Sequence, residues 1–186
     1  MKVTYRFFLS LLLFLWACGG DTVPKPRAML RLEYPEARYE TLKKEGYYQF
    51  QKNKAAVVSK EKEYALNITY PAMKATLFIT YKKIENNLDQ LLADAQKLTY
   101  EHVIKADAIT EQPFIDKTHS VYGMLYEISG NAASQSQFYA TDSIKNFLTG
   151  SLYFYVRPNY DSVLPAADYL KKDIRKIMET LRWERY

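Results

Sequence analysis

The chain has 186 residues, of which 48% are hydrophobic and 25% are charged, and its formal net charge is +5 at pH 7. This length suits one domain of ordinary size, and a small, dispersed positive charge argues against a nucleic-acid-binding protein. The single cysteine excludes an intrachain disulfide, so we expect the stability to come from packing.

The chain starts with a basic and then apolar segment, MKVTYRFFLSLLLFLWAC. Lys2 and Arg6 precede the apolar run Phe7–Ala17, and small Ala17 comes directly before Cys18. A helix that crosses a bilayer needs about 20 apolar residues, so this run is too short for a permanent span. Basic, apolar and small residues in that order predict a secretory signal peptide at residues 1–17.

The cysteine that ends the run is not required in a general signal peptide, and its position resembles the lipobox of bacterial lipoproteins. This resemblance implies cleavage before Cys18, a diacylglycerol on the thiol and attachment of the mature chain to a membrane. Two or three acyl chains are enough for stable attachment. The alternative is an ordinary signal peptide followed by an unmodified thiol.

A linker is expected after the cysteine. Residues 18–46 are rich in proline and glycine and show no regular apolar period, which is typical of an extended segment. We therefore predict a lipid-anchored tether here and a single folded domain at residues 47–186. Alternation of Leu30, Leu32 and Tyr34 indicates that part of the tether docks on that domain as an edge strand.

The first half of the domain shows alternating residues and then a change of period. Alternation predicts three strands, at residues 47–59, 63–71 and 75–83. Apolar residues then recur at steps of three and four, which predicts an amphipathic helix from Asn87 to about Lys105.

The second half repeats this order. Three more strands are predicted at residues 120–130, 133–142 and 146–156, followed by a helix that Asp161 or Ser162 caps. Strands joined by short turns pair antiparallel, and both helices need a surface on which to bury their apolar stripes. We expect an α+β fold with an antiparallel sheet of about six strands and a packed helix after each run of three.

Few residues could carry acid–base or metal chemistry, because the chain has only two histidines, His102 and His119. No HxxxH or paired-cysteine motif accompanies either histidine, so we expect no metal and no cofactor. A hydrolase could be imagined from Ser134 or Ser136 with His119 and Asp142. No GxSxG elbow or glycine-rich phosphate loop supports that hypothesis, and we expect a protein that is not an enzyme.

Six stretches after the signal peptide have a recognisable combination of residues: CGGDTVPKPRAMLRL, LNITYP, YEHVIKADAI, VYGMLYEISGNAASQSQFYATDS, FLTGSLYFYVRPNYDS and KKDIRKIMETLRW. Together, and in this order, they resemble the gliding motility lipoprotein GldD family of Bacteroidetes. Each stretch is a weak signal alone. Their combination is specific because it covers nearly the whole chain after the signal peptide.

This resemblance implies an envelope lipoprotein that is required for gliding and is connected with the type IX secretion machinery. It leads us to expect a non-catalytic interaction component, anchored by lipid at Cys18 and facing the periplasm from the inner or outer membrane. The expected partners are the membrane, other gliding and secretion envelope proteins, or peptidoglycan, with no nucleic acid among them. A small-ligand-binding module and a cryptic hydrolase stay open as alternatives.

Polar residues gathered on predicted turns are the best candidates for a contact surface, because such residues are kept for recognition more often than for packing. The predicted surface consists of Lys105, Asp107, Gly130, Asn131, Ser134, Gln137, Asp142 and Ser143. The alternative is that Asp107, Asn131 and Asp142 only cap turns and helix ends.

Overall fold

The computed structural model describes residues 34–101, 105–156 and 159–184. Most of the regular structure in these ranges is β-strand: β1 Tyr39–Lys44, β2 Tyr48–Asn53, β3 Val57–Glu61, β4 Ala65–Tyr70, β5 Ala75–Lys83, β6 Ala106–Asp116, β7 Val121–Gly130, β8 Ser134–Thr141, β9 Asn146–Phe154 and β10 Arg182–Trp183. The same ranges contain two α-helices, α1 (Leu88–Tyr100) and α2 (Tyr160–Thr180), and a 3₁₀ turn at Pro71–Met73.

The strands form two antiparallel sheets. The small sheet has the order β1-β2-β10, and the large sheet has the order β3-β4-β5-β9-β8-β7-β6. β5 and β9 pair over their full lengths, from Ala75 opposite Phe154 to Lys83 opposite Asn146. This pairing places the turn between β8 and β9 beside the end of β5, although the two segments are far apart in sequence.

The main core lies between one face of the large sheet and a layer made by β2 and α2. Apolar side chains alternate along β4, β5 and β9, and others recur at helical spacing along α2. The most deeply buried side chains of this core, including two from β2, are Tyr48, Phe50, Leu66, Ile68, Leu77, Ile79, Leu148, Leu152, Leu170, Ile174 and Ile177. Each such side chain stabilises the fold by about 1.5–3 kcal/mol relative to an exposed one.

The helix α1 packs on the opposite face of the large sheet. Phe138 belongs to the main core, so its neighbour Gln137 on β8 points to the other face, because successive strand residues alternate between faces. The hydroxyl of Thr99, at the end of α1, donates a hydrogen bond of 3.0 Å to Gln137 Oε1. The two helices therefore lie on opposite faces of the sheet.

The predicted α+β fold with about six strands is wrong, because the described chain is mostly β, with ten strands in two sheets and two α-helices. The prediction omits β1, β6 and β10. The strand β6 lies at the edge of the large sheet, contains Pro113 and has mostly exposed or half-buried side chains, so its sequence lacks clear alternation. β10 has only two residues, which is too short for any periodic signal.

One predicted strand is two strands in the structure. The range 47–59 contains β2 and the start of β3, separated by a turn that Asn53 organises. Asn53 Oδ1 accepts a hydrogen bond of 2.9 Å from the N–H of Ala55, and the Asn53 carbonyl accepts one of 3.1 Å from the N–H of Ala56. Because the turn separates the strands, β2 joins the small sheet while β3 begins the large one.

The strand β1 lies inside the segment expected to be a tether. Tyr39–Lys44 pairs along the whole of β2, and the ring of Tyr34 lies 5.3 Å from that of Tyr169 on α2. The domain contacts therefore begin earlier in the chain than Tyr47. The predicted signal peptide and Cys18 lie outside the described residues.

The predicted helices differ from the structure mainly at their ends. The first is described from Leu88 to Tyr100, and His102 lies outside the described residues. The second begins at Tyr160 and contains Pro165. Neither helix, over the residues described, is both long and apolar enough to cross a membrane.

Candidate functional site

A pocket of about 550 Å³ opens at one end of the large sheet, and we call it the end pocket. Four segments and the buried Tyr81 line it: the end of β5, the β6–β7 turn, the β8–β9 turn and β10. Their lining residues are Tyr81, Lys83, Ile84, Glu85, His119, Ser120, Asp142, Ile144, Lys145, Asn146, Trp183 and Glu184. The volume lies within the range of ordinary small-ligand sites, so the end pocket is the candidate functional site.

Asp142 shapes the β8–β9 turn that forms one wall of the end pocket. Its Oδ1 accepts backbone N–H bonds of 2.8–2.9 Å from Ile144, Lys145 and Asn146. Its Oδ2 accepts a bond of 2.6 Å from the side-chain amide of Asn146. Partial burial raises the pKa of Asp142, but these donors outweigh burial and hold the pKa below its ordinary value. The carboxylate is thus already occupied in holding the wall.

The floor of the end pocket is tied to this wall through Tyr81. The Tyr81 hydroxyl donates a hydrogen bond of 2.6 Å to Asn146 Oδ1. Its ring is buried among other tyrosines, with the Tyr47 ring centroid at 4.8 Å and the Tyr48 centroid at 6.1 Å. Since Asn146 bonds both Tyr81 and Asp142, one amide fixes the floor and the wall together.

His119 stands on the β6–β7 turn and is oriented by Asp116. Its Nδ1 lies 2.6 Å from Asp116 Oδ2, and Asp116 Oδ1 accepts backbone N–H bonds from Thr118 and His119. The hydrogen bond with His119 lowers the pKa of Asp116 below its ordinary value. The second ring nitrogen, Nε2, has no hydrogen-bond partner among the described residues, so it is available to a ligand.

The strand β10 closes another side of the end pocket. The indole N–H of Trp183 donates a hydrogen bond of 3.0 Å to the carbonyl of Ser120. The Glu184 carboxylate accepts the N–H of Gly46 at 2.5 Å and lies 2.9 Å from Lys43 Nζ, which lowers the pKa of Glu184. These contacts fix β10 to the turns on either side of it.

The predicted contact surface is not one surface in the structure. Ser134 and Asp142 stand before and after the length of β8, about 25 Å apart at 3.3 Å per residue. Lys105, Asp107, Gly130 and Asn131 lie near Ser134, because the start of β6 pairs with the end of β7. Ser143 follows Asp142 on the β8–β9 turn, and Gln137 lies between the two groups.

Several of these predicted residues make structural contacts. Asn131 Oδ1 accepts the N–H of Tyr160 at 2.9 Å and so caps the first turn of α2. Ser134 and Gln137 are 0% and 3% exposed, which leaves them no surface to offer a partner. The contacts of Asn131 and Asp142 are those that the alternative describes for these two residues.

The structure does not bring together the serine, histidine and aspartate of the hydrolase hypothesis. His119 and Asp142 both line the end pocket, but Ser134 is at the other end of β8, and its hydroxyl is buried and donates to the Ser136 carbonyl at 3.2 Å. Ser136 is also buried on β8, far from His119. No group of three or more histidine, cysteine, aspartate or glutamate side chains in the described ranges is arranged to hold a metal ion.

The candidate functional residues predicted from the sequence include two residues of the end pocket and omit most of the others. His119 and Asp142 stand out in the sequence for their chemistry, Tyr81 and Asn146 fall within predicted strands, and Trp183 has no prediction of its own. A usable signal is present in DSIKN, because an Asp at the end of a strand often accepts backbone N–H groups of the turn that follows it. Nothing in the sequence indicates that Trp183 lines the same pocket as this turn.

The comparisons with known proteins agree with the resemblance seen in the sequence. The family model described as gliding motility lipoprotein GldD matches residues 19–183. A search of curated proteins found no match.

Proposed function

The chain belongs to the gliding motility lipoprotein GldD family, and from this premise we propose that it is a lipid-anchored component of the gliding machinery that acts by binding and not by catalysis. The family supports a role in gliding motility and attachment to the cell envelope by lipid. We further propose that Cys18 carries the lipid and that the domain faces the periplasm. Residues between Cys18 and β1 would then link the anchor to the domain.

The observation that carries the anchoring proposal is the position of the only cysteine. Cys18 ends the apolar run and directly precedes the first residue that the lipoprotein family model matches. Acyl chains contribute about 0.8 kcal/mol per buried methylene, so two or three chains hold a protein on a membrane without a spanning helix. Cleavage before Cys18 would remove residues 1–17 as a signal peptide.

Labelling of cells with palmitate tests the anchor. We expect the wild-type protein to incorporate label and to sediment with membranes, and the Cys18→Ser variant to lose both properties. Thr22→Ser is a matched control, since it makes a small change in the same segment without removing the thiol. A labelled, membrane-bound Cys18→Ser protein would contradict the proposal.

The proposal that the protein acts by binding is supported by the arrangement of its polar groups. The end pocket combines aromatic, apolar and charged side chains, while the serines of the hypothetical hydrolase lie elsewhere on β8. Its proposed partners are other envelope proteins of gliding and type IX secretion, or peptidoglycan.

His119 offers a way to separate binding from catalysis. A glutamine at this position keeps a hydrogen-bond donor for Asp116 but cannot exchange protons near neutral pH, as a general base or acid must. We expect cells with His119→Gln to spread on agar as the wild type does, at equal abundance of the protein. Loss of spreading by this variant, at normal abundance of the protein, would contradict the proposal and favour catalysis.

A further inference from the structure

Most acidic residues of the end pocket already have hydrogen-bond or ion-pair partners within the protein. Asp142 accepts three backbone N–H groups and the Asn146 amide, and Glu184 accepts the Gly46 N–H and lies beside Lys43. Glu85 is the remaining acid of the lining, and no ion pair within 4 Å joins its carboxylate to the part of the chain that is described. Two of the three acidic side chains of the end pocket therefore already have partners within the protein.

The two lysines of the end pocket differ from these acidic residues, because they form no ion pair within the described residues. Lys83 and Lys145 are exposed, and neither has a carboxylate oxygen within 4 Å in residues 34–101, 105–156 and 159–184. Lys83 ends β5 opposite Asn146, and Lys145 directly precedes Asn146 in the β8–β9 turn, where its carbonyl accepts the Ile84 N–H at 2.9 Å. Two lysines that line the same pocket suit a ligand with a carboxylate.

Part of the lining of the end pocket is apolar or aromatic. Ile84 is half-buried, Ile144 is 73% exposed at the tip of the β8–β9 turn, and Trp183 has its indole N–H already bonded, so that its ring is the part available to a ligand. Ile144 lies exposed on a turn that Asp142 holds through three backbone hydrogen bonds. An apolar side chain of a ligand would remove it from water.

The end pocket also continues into a neighbouring groove. A second pocket of about 470 Å³ shares Tyr81, Lys83 and Glu85 with it and extends to Leu91 on α1. A ligand with a chain could therefore pass from Trp183 towards α1. Polar atoms that could meet such a chain are supplied by Asn87 and Gln90.

We propose that the end pocket binds a short peptide through a free carboxylate held by Lys83 and Lys145, with an apolar side chain against Ile144 and Trp183. Glu85 favours a peptide over a multiply charged anion, because it repels a second negative charge but accepts N–H groups of a peptide. This inference does not depend on the lipid anchor, because it concerns a site within the described domain.

Calorimetric titration of the full-length protein in detergent micelles tests the inference. The probe is acetyl-Ala-Leu-Ala with a free C-terminal carboxylate, and the comparators are the same peptide with a C-terminal amide, glucuronate and inorganic phosphate. We expect the free carboxylate to bind at least about tenfold more tightly than the amide, since a charge-assisted hydrogen bond contributes about 1.5–3 kcal/mol. Glucuronate and phosphate should bind more weakly than the peptide.

The lysines are tested by a matched pair of double variants. Lys83→Gln with Lys145→Gln should weaken binding of the free carboxylate about tenfold or more and remove the preference over the amide. Lys54→Gln with Lys172→Gln removes the same charge from exposed positions elsewhere and should leave binding within twofold. Similar unfolding curves for all proteins would exclude a change in folding.

Four results would overturn the inference. They are equal affinity for the carboxylate and the amide, an unchanged affinity in the Lys83 and Lys145 double variant, tighter binding of glucuronate or phosphate than of the peptide, and no measurable binding of the peptide. Tighter binding of glucuronate would assign the pocket to sugar acids. None of these results bears on palmitate labelling at Cys18, so failure here is distinguishable from failure of the proposed anchor.

Discussion

Asp173 is a carboxylate buried on the core side of α2, at 1% exposure. Tyr39 donates its hydroxyl to Oδ1 at 2.8 Å, and the Asn53 amide donates to Oδ2 at 2.9 Å, so the residue ties α2 to both β1 and β2. Burial raises the pKa of Asp173 above its ordinary value, and the donors lower it only in part. Because the pKa is raised in the folded state, the folded protein gains stability from this group as the pH falls through that pKa. The gain is complete once the pH is below the ordinary pKa of an unfolded aspartate.

Removing this carboxylate should destabilise the fold at neutral pH. Asp173→Ala would leave the Tyr39 hydroxyl and the Asn53 amide without their acceptor in a buried site, at a cost of about 3 kcal/mol in the free energy of unfolding. Asp168→Ala on the same helix, where the side chain is 62% exposed, should change it by less than about 0.5 kcal/mol. Urea denaturation of the full-length protein measures both, and equal effects would show that the buried bonds do not matter.

Asp142 should have the opposite dependence on pH. Its folded-state pKa is lowered, so its stabilising contribution is complete above the unfolded pKa of about 3.9 and is lost as the pH falls through the folded value. We expect Asp142→Ala to be less stable than the wild type by about 2 kcal/mol at pH 7, and the difference to shrink in acid below about pH 4. Denaturation curves at several pH values measure this, and a constant difference would contradict the assignment.

At the scale of the strands, the sequence pattern found the elements that alternate between a buried and an open face. β4, β5, β7 and β9 largely have that arrangement, whereas β8 is buried on both faces, and all five lie within a few residues of the predicted strands. β3 and β6 are the edges of the large sheet, and their side chains are largely exposed, so burial imposes no period on them. The sequence could not show which strands occupy the edges, because this depends on the pairing of β5 with β9.

Close approach between two strands gives a test of the predicted pairing of β7 with β8. A Cβ added at Gly123 would stand 2.2 Å from the carbonyl oxygen of Tyr139, which is backbone and cannot rotate away. We expect Gly123→Ala to lower the free energy of unfolding by about 1–3 kcal/mol, as overpacking does. Ser151→Ala on β9 is the control and should change it by less than about 0.5 kcal/mol. Wild-type stability of Gly123→Ala would mean that these strands do not lie so close.

At the scale of the whole molecule, the end pocket exists only because distant segments meet. Tyr81, His119, Asn146 and Trp183 come from four parts of the chain, and the β5–β9 pairing with the docking of β10 brings them together. Sequence reasoning selected polar turn residues, and it could not know that the ends of β8 separate Ser134 from Asp142. The candidate site was therefore predictable only in its chemistry, through His119 and Asp142, and not in its assembly.

Spreading of cells that carry the Lys83→Gln and Lys145→Gln double variant tests most directly whether this envelope protein works by binding a ligand in the end pocket. The account predicts that spreading is lost while the abundance and the membrane association of the protein stay at wild-type levels. The Lys54→Gln and Lys172→Gln double variant should spread normally. Wild-type spreading by the pocket variant, at equal abundance in the membrane fraction, would contradict the account.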